Sequence, residues 1–290
     1  MPTSPHISPG IGPAVPQHYE NFPVASWLCP PHLRPPIAAI YAFARTADDI
    51  ADEGDAAPGQ RLEDLGAMKA DLLFVNAGQP HSGRWPNVFG ALAPLMRQFK
   101  LPVNLLLDLL DAFEQDVAKS RDRAGYRTHA ELLDYCCRSA NPIGRLLLHL
   151  YEVDDDTSLQ MSDNICSALQ LINFWQDLSR DLPLGRYYLP EEECARFNLA
   201  HTQIDARQPT TAPVLALIRA QVERAKTMML AGAPLVKRLP GRAGWELRLV
   251  VQGGLRIIDK IECMNYATLT TRPKITAWDA PLMFWRALRM

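Results

Sequence analysis

Apolar residues recur at intervals of three and four positions along most of the chain, beginning at Pro35. This spacing is typical of α-helices that bury one face. It predicts helices near residues 35–53, 60–77, 87–99, 102–119, 128–137, 141–152, 157–181, 211–238, 242–269 and 279–289. No run of alternating β-branched residues indicates a strand. The pattern therefore predicts an all-α fold.

Prolines mark the segments that lie outside this pattern. Ten of the 24 prolines precede residue 37, so residues 1–16 are predicted to be a flexible tail without regular structure. DLPLGRYYLP (181–190) is predicted to be a loop, because two prolines and a glycine interrupt the helical spacing. Neither a linker nor an internal repeat divides the rest, so residues 17–290 are predicted to form one helical domain.

The composition of the 290 residues excludes several functional classes. The 30 basic and 32 acidic residues give a formal net charge of −2, so no overall field attracts nucleic acid and no nucleic-acid partner is expected. The hydrophobic content of 48% is enough for a large core. No apolar run is long enough to span a bilayer.

The cysteines and the N-terminal residues predict a cytoplasmic protein. The six cysteines form neither a CxxC pair nor a zinc-ligand spacing, and they are predicted to be reduced thiols buried in the core. The first residues lack a charged segment followed by an apolar run, so no signal peptide is expected. Peripheral attachment to the inner face of the membrane remains open.

An acidic cluster, RTADDIADEGD (45–55), follows an apolar helical stretch directly. Asp48 and Asp52 lie four positions apart, and they share one helix face with Tyr41 and Arg45. Such a cluster is either a solvated helix end or a site that binds cations. We call residues 45–55 the first acidic motif.

A second acidic motif lies in QLINFWQDLSRD (170–181). Asn173, Asp177 and Asp181 recur every four positions, and Gln170 precedes them by one turn. The apolar neighbours predict a buried face, where carboxylates four positions apart repel one another. Mg²⁺ relieves this repulsion, because it prefers oxygen ligands and links carboxylates to substrate phosphates. Two such motifs on facing helices predict a site for several Mg²⁺ ions and a diphosphate.

Basic side chains adjoin both motifs. Arg45 begins the first motif, while Arg186 and Tyr188 follow the second in GRYYLP. The guanidinium fork matches phosphate oxygens, although a surface arginine also serves solubility alone. Their position beside both motifs favours diphosphate binding.

The two motifs resemble those of a known family. YAFARTADDIAD and QLINFWQDLSRDLPLGRYYLP are similar to the aspartate-rich motifs of the squalene/phytoene synthase family, and the resemblance extends from about residue 18 to the C-terminus. HYENFPVAS (18–26) and YCCRSANPIGRLLLHLY (135–151) most resemble bacterial hydroxysqualene synthases of hopanoid pathways. The resemblance implies an isoprenoid-synthase helical bundle with a central apolar cavity. It also implies presqualene diphosphate as substrate and hydroxysqualene as product.

The resemblance implies roles for individual residues. The implied metal ligands are Asp48, Asp52, Asn173, Asp177 and Asp181. The implied catalytic residues are Tyr41, Arg45, Tyr135, Gln170, Arg186 and Tyr188. Of these, Arg45, Arg186 and Tyr188 would contact the diphosphate, with His18 as a looser match. About two or three Mg²⁺ ions would bind with the diphosphate, no NADPH would be needed, and the expected lining of the apolar tunnel includes Phe22, Leu146, Leu150 and Leu169.

Two departures from the family pattern bear on the reaction. Gln176 stands where several relatives have an arginine, and LRIIDKIE (255–262) has isoleucines where squalene- and dehydrosqualene-forming relatives carry a tyrosine. Both weaken the alternative that the chain condenses farnesyl diphosphate head-to-head into presqualene diphosphate, squalene or a related product. A third hypothesis is a catalytically inactive relative that serves assembly, and the complete acidic motifs argue against it.

Two further segments are interpreted without a catalytic role. LLDLLDAFEQDV (106–117) carries acids spread around the helix, which is typical of a core helix with one wet side. PLMFWRALRM (281–290) mixes aromatics with arginines. We favour a last helix that docks on the bundle, and contact with a membrane surface is the alternative. A hand-off of substrate or product to other hopanoid-pathway enzymes is also expected.

Overall fold

The computed structural model describes residues 29–200, 204 and 211–290. Within these residues the chain is helical and contains no strand, which confirms the all-α prediction. The α-helices are α1 (Arg34–Asp52), α2 (Pro58–Asn76), α3 (Pro86–Phe99), α4 (Val103–Asp122), α5 (His129–Ser139), α6 (Asn141–Leu150), α7 (Asp156–Asp181), α8 (Glu191–Arg196), α9 (Ala212–Gly232), α10 (Gly241–Cys263) and α11 (Ala280–Leu288). The tail predicted for residues 1–16 lies outside the described residues.

Two predicted helices end earlier than their apolar spacing suggests. The helix predicted over 211–238 stops at Gly232 and continues as a short 3-10 helix, because Pro234 has no N–H for the next helical bond. The helix predicted over 242–269 stops at Cys263, after which Asn265 and Tyr266 adopt positive φ angles of 52° and 63°. The short helix α8 was not predicted, since one and a half turns carry too little periodicity.

The apolar core consists of two clusters. One is built from α1 to α4 and includes Leu146 and Leu150 of α6. The other surrounds α7 and includes Leu169 together with residues of α5, α9 and α10. The three described residues expected to line the tunnel are therefore buried, Leu146 and Leu150 in the first cluster and Leu169 in the second. Phe22 lies outside the described residues, and the central cavity stays a prediction.

Close packing fixes the position of α7. Gly144 on α6 faces α7 so closely that a Cβ atom there would lie 2.6 Å from the Cys166 Sγ. Gly232 at the end of α9 approaches the other side, where a Cβ would lie 2.5 Å from the Met161 carbonyl oxygen. A side chain at Gly232 would collide with the backbone of α7, and one at Gly144 would displace the side chains of Ser162 and Cys166. The second acidic motif thus sits on a firmly held helix.

The prediction of six buried thiols is correct for four cysteines and wrong for two. All six are free, and Cys29, Cys136, Cys166 and Cys194 are buried. Cys137 is exposed because it follows Cys136 on α5 and is rotated by about 100° around the helix, away from the core. Cys263 is exposed because it is the last residue of α10.

Candidate active site

The first acidic motif occupies the C-terminal half of α1. Arg45 lies among three carboxylates of its own helix: its guanidinium is 3.1 Å from Asp48, 2.8 Å from Asp49 and 2.7 Å from Glu53. Tyr41 precedes Arg45 by one turn and is partly buried. The positive charge offsets part of the repulsion that the sequence predicted among these acids.

Arg186 connects the two acidic motifs. Its guanidinium pairs with Asp52 at 2.8 Å, and its backbone N–H donates to the Asp181 carbonyl oxygen at 3.0 Å. Burial alone would lower the pKa of Arg186, but the surrounding carboxylates, Asp52 first among them, raise it above the ordinary value. Arg186 therefore places Asp52 of the first motif near the end of the second, and the full facing arrangement of the two motifs stays a prediction.

The second acidic motif runs along one face of α7. Asp177 pairs with both nitrogens of the Arg272 fork, one of them at 3.1 Å. Burial and the neighbouring Asp177 charge raise the pKa of Asp181 to about 7. Asn173 and Gln170 lie partly buried on the preceding turns of α7. The motif thus combines Asp177, which is paired with an arginine, and Asp181, whose pKa is raised.

Arg272 is a site residue that the sequence reasoning missed. It lies in the segment between α10 and α11, far from α7 along the chain. The buried Gln176 holds this segment in place, because its amide donates to the Pro273 carbonyl oxygen at 2.7 Å. Gln176, singled out only as a departure from the family pattern, therefore brings a third arginine to the acidic motifs. No local pattern around Arg272 could have indicated this contact.

A carboxyl–phenol pair lies beside Arg186. The Tyr135 hydroxyl on α5 donates to the Asp116 carboxyl on α4 at 2.5 Å. Removal from water raises the pKa of Asp116 to about 7. The tyrosine hydrogen bond works against this rise, and the charges of Asp52 and Asp48 add to it. The pair is therefore electrostatically coupled to the first acidic motif.

The interpretation of residues 106–117 as a core helix with one wet side is correct, but it missed the position of Asp116. Leu105, Leu109 and Ala112 are buried on α4, and Asp116 continues their spacing of four, three and four residues. The buried stripe thus ends in a carboxyl group, and this was the signal in the sequence. The other acids of the segment lie off this stripe, in agreement with the prediction.

Aromatic rings form the wall around this pair. Tyr188 stacks on Phe174 with 3.8 Å between ring centroids, and Tyr135 lies 6.4 Å from Tyr188 and 5.7 Å from Tyr126. Burial raises the pKa of Tyr135 and of Tyr188 well above the ordinary value, so both phenols stay protonated. A cavity of about 10 Å³, lined in part by Asp116, Arg186 and Tyr188, adjoins the wall. This volume corresponds to about one water molecule.

Most residues predicted for the site thus converge where α1, α4, α5, α7 and the loop after α7 meet. They are Arg45, Asp48, Asp52, Tyr135, Asp177, Asp181, Arg186 and Tyr188. Tyr41, Gln170 and Asn173 lie partly buried on α1 and α7, and their place in the site stays a prediction. His18 lies outside the described residues, so its predicted contact with the diphosphate stays a prediction. The structure adds Asp116 and Arg272 to this set.

The donors at the two motifs fit Mg²⁺. They are oxygens throughout, and the raised pKa of Asp181 marks a place where added positive charge is favourable. Among the described residues, no three or more His, Cys, Asp or Glu side chains gather closely enough to hold an ion by themselves. Mg²⁺ does not require such a cage, because it commonly takes one or two carboxylates and completes its shell with phosphate and water.

Known proteins share sequence with this chain over most of its length. The squalene/phytoene synthase family matches residues 15–279. A hydroxysqualene synthase of Sinorhizobium fredii is 32% identical over 246 residues, which cover 84% of this chain and 79% of the relative. A hydroxysqualene synthase of Rhodopseudomonas palustris is also 32% identical, over 247 residues, with coverage of 84% and 80%.

Solved structures resemble the fold over most of its length. The squalene synthase HpnC from Alicyclobacillus acidocaldarius superposes with a TM-score of 0.77 at 36% identity, covering 86% of this chain and 90% of that one. A dehydrosqualene synthase in complex with ligand gives a TM-score of 0.74 at 21% identity and shares the fold. The family match over most of the chain, the relatives and the shared helical fold together show that the chain belongs to the squalene/phytoene synthase family.

Proposed function

We propose that the protein ionises presqualene diphosphate and captures the rearranged carbocation with water, which gives hydroxysqualene. One observation carries the proposal: Arg186 contacts Asp52 of the first acidic motif and Asp181 of the second, next to an aromatic wall. A diphosphate bound there would meet cationic donors and metal-ligating oxygens together, with its lipid part directed at apolar surface. The relatives named hydroxysqualene synthase support this choice of product.

The arginines of the site bind and stabilise the leaving diphosphate. Arg45 and Arg186 now pair with carboxylates, and the same N–H donors can turn to phosphate oxygens. Charge that develops on the departing oxygens is stabilised by these preorganised donors. Mg²⁺ held by Asp48 and Asp52 and by the second motif would supply further neutralisation of the diphosphate.

The aromatic wall protects the cation that ionisation leaves. Stacked rings of Phe174 and Tyr188 present π-faces, which attract positive charge. They also exclude bulk water, which would quench the cation before it rearranges. Water can then reach the cation only from a site that holds about one water molecule, such as the small cavity beside Asp116.

Asp116 and Tyr135 are positioned to take the proton of the captured water. The water oxygen bonds to the cationic carbon, and one of its protons passes to the Tyr135 oxygen as the Tyr135 proton moves to Asp116. A carboxyl group with a pKa of about 7 suits this task at neutral pH, because a substantial fraction is ionised and ready to accept. The products are the alcohol, diphosphate and one proton.

The test is product identification from separate substrates. Purified protein is incubated with Mg²⁺ and either presqualene diphosphate or farnesyl diphosphate, with and without NADPH. We expect hydroxysqualene from presqualene diphosphate without NADPH. Squalene that forms only when NADPH is present would overturn the proposal, and turnover of farnesyl diphosphate would favour head-to-head condensation. Absence of any turnover would favour the inactive assembly protein.

Matched variants connect the product to the site. Asp52→Asn removes the carboxylate that pairs with Arg186 and should abolish most turnover. Asp55→Asn changes an exposed acid of the same motif that lies beyond the end of α1, and it should leave turnover unchanged. Equal activity of the two variants would show that the first acidic motif has been misassigned.

A further inference from the structure

The outward face of α11 is apolar. Phe284, Trp285 and Leu288 are 55%, 52% and 49% exposed, and Pro281 continues the same face. The opposite face packs on the bundle through the fully buried Ala287. A surface helix of a soluble protein normally carries polar residues on its outward side. The favoured prediction of a last helix docked on the bundle is therefore correct, and its outward face stays about half exposed.

Neighbouring aromatics extend this face into a patch. Trp278, in the 3-10 turn before α11, is 91% exposed. Trp245 on α10 is 37% exposed and stacks on Phe284 with 6.5 Å between centroids. We call Trp245, Trp278, Phe284, Trp285 and Leu288 the aromatic patch. A contiguous exposed apolar surface of this kind marks a place where another apolar phase or molecule binds.

Positive charge surrounds the patch. The Arg289 guanidinium lies 4.0 Å from the Trp285 ring centroid, and Arg248 lies 4.8 Å from that of Trp245. Residues 241–290 contain eight basic and four acidic residues, whereas the remaining 240 contain 22 and 28. Asp259 pairs with Arg286 at 2.6 Å and Asp279 with Lys260 at 2.7 Å, pairs that leave the excess of basic over acidic residues in this segment unchanged. The chain is thus acidic overall and basic where it is most apolar.

We propose that the aromatic patch docks the protein on an anionic lipid bilayer, with α11 lying in the interface. Tryptophan and phenylalanine partition to the headgroup level of bilayers, and nearby arginines are attracted to anionic lipids. No helix in the described part of the chain is long and apolar enough to cross a membrane. Attachment would therefore be peripheral.

A second copy of the chain fits the patch less well. Most homodimers place the same surface of both subunits face to face. Such a contact would bring two copies of the same arginine-flanked patch together, and like charges would face one another across it. A bilayer that carries negative charge has no such conflict, and charge complementarity selects it.

Vesicle co-sedimentation of the full chain tests the proposal. Vesicles of phosphatidylcholine mixed with phosphatidylglycerol are compared with vesicles of phosphatidylcholine alone. We expect binding to the anionic vesicles, weakened by high salt, and much weaker binding to the neutral ones. The double variant Trp278→Ser/Trp285→Ser should bind at least about ten-fold more weakly. Arg289→Gln should weaken binding to anionic vesicles and leave binding to neutral ones unchanged.

Leu73 and Phe74 on α2 provide the matched control. Both are 48% exposed, and they lie on a helix of the other core cluster. Leu73→Ser/Phe74→Ser should bind vesicles as the wild type does. The proposal is overturned if this control loses binding equally, if the wild type binds neither vesicle, or if the patch variant binds as the wild type does. A dimer that the patch variant converts to monomer, measured by sedimentation velocity, would assign the patch to a second copy.

This inference goes beyond the proposed reaction, and the two fail independently. Vesicle binding requires no turnover, and product identification with detergent-dispersed substrate requires no vesicle. Trp278 also supplies a direct signal, because its emission should shift to shorter wavelength on anionic vesicles. Loss of that shift in Trp278→Phe would assign the signal to the patch rather than to another tryptophan.

Discussion

Replacement of Asp116 by asparagine should stabilise the protein at high pH while it reduces turnover. The asparagine has nearly the same shape, and its carbonyl oxygen can still accept the Tyr135 hydrogen bond. What the variant loses is the negative charge that the folded chain holds away from water. In the wild type, burial raises the pKa of this carboxyl from 3.8 to about 7.

The magnitude follows from the two protonation states. At about pH 5 the carboxyl is already ionised in the unfolded chain and still protonated in the folded chain. Between about pH 5 and about pH 8 only the folded chain loses this proton, so the free energy of unfolding falls as pH rises. About two pH units separate pH 5 from the raised pKa, and each unit lowers the free energy of unfolding by about 1.4 kcal/mol. Because Asp116 keeps part of its surface exposed to water, we reduce this product and expect about 2 kcal/mol of pH-dependent stability from it.

Urea unfolding at both pH values, in the presence of a chelator, measures this contribution. Relative to the wild type, Asp116→Asn should gain about 2 kcal/mol between about pH 5 and about pH 8. Glu63→Gln on the exposed side of α2 controls for the substitution itself. A difference between wild type and Asp116→Asn that is equal at both pH values would refute the reasoning. Turnover of presqualene diphosphate should fall at least about ten-fold, and a more stable variant excludes unfolding as the cause.

Three further predictions concern other parts of the site and its support. Arg186→Lys keeps the charge but loses the fork that meets Asp52, so turnover should fall about ten-fold or more with a nearly unchanged melting temperature; a fall in melting temperature alone would indicate a structural role. Mg²⁺ should raise the melting temperature more at about pH 8 than at about pH 6, because the metal competes with the proton of Asp181, whose pKa is raised to about 7. Asp181→Asn should remove this difference between the two pH values. If the difference persists in the variant, Asp181 is not a metal ligand. Gly144→Ala should lower the free energy of unfolding in urea by about 1–3 kcal/mol, because the α7 side chains that face it must move. Gly66→Ala on the exposed face of α2 should raise it by about 0.5–1 kcal/mol. Equal effects of the two variants would show that α6 and α7 have room to separate.

Features that depend on nearby residues were predictable from the sequence. Helix α7 and both acidic motifs follow from a three-to-four-residue spacing, which the backbone geometry converts directly into a shared face. The position of Asp116 was also predictable, because it continues the buried stripe of α4. The spacing was present in the sequence, but the segment was interpreted from the spread of its acids around the helix instead.

Features that depend on distant residues were not predictable in this way. Arg272 reaches Asp177 only because Gln176 holds the Pro273 carbonyl oxygen, and no local pattern encodes that contact. The ends of α9 and α10 depend on single backbone conformations, such as the positive φ at Asn265, which apolar spacing does not report. The outward face of α11 also required the structure, since the sequence alone could not tell which side of the helix packs.

The pairing of the acidic motifs with arginines has a consequence for the cell. Arg45, Arg186 and Arg272 supply internal counter-ions to Asp48, Asp52 and Asp177, so the repulsion that would otherwise open the bundle is largely neutralised without any bound ion. On the proposed function, a shortage of magnesium should therefore stop turnover without unfolding the protein and exposing it to proteolysis. Its abundance would stay constant through such a period, and flux would resume as soon as the ion returned, without new synthesis.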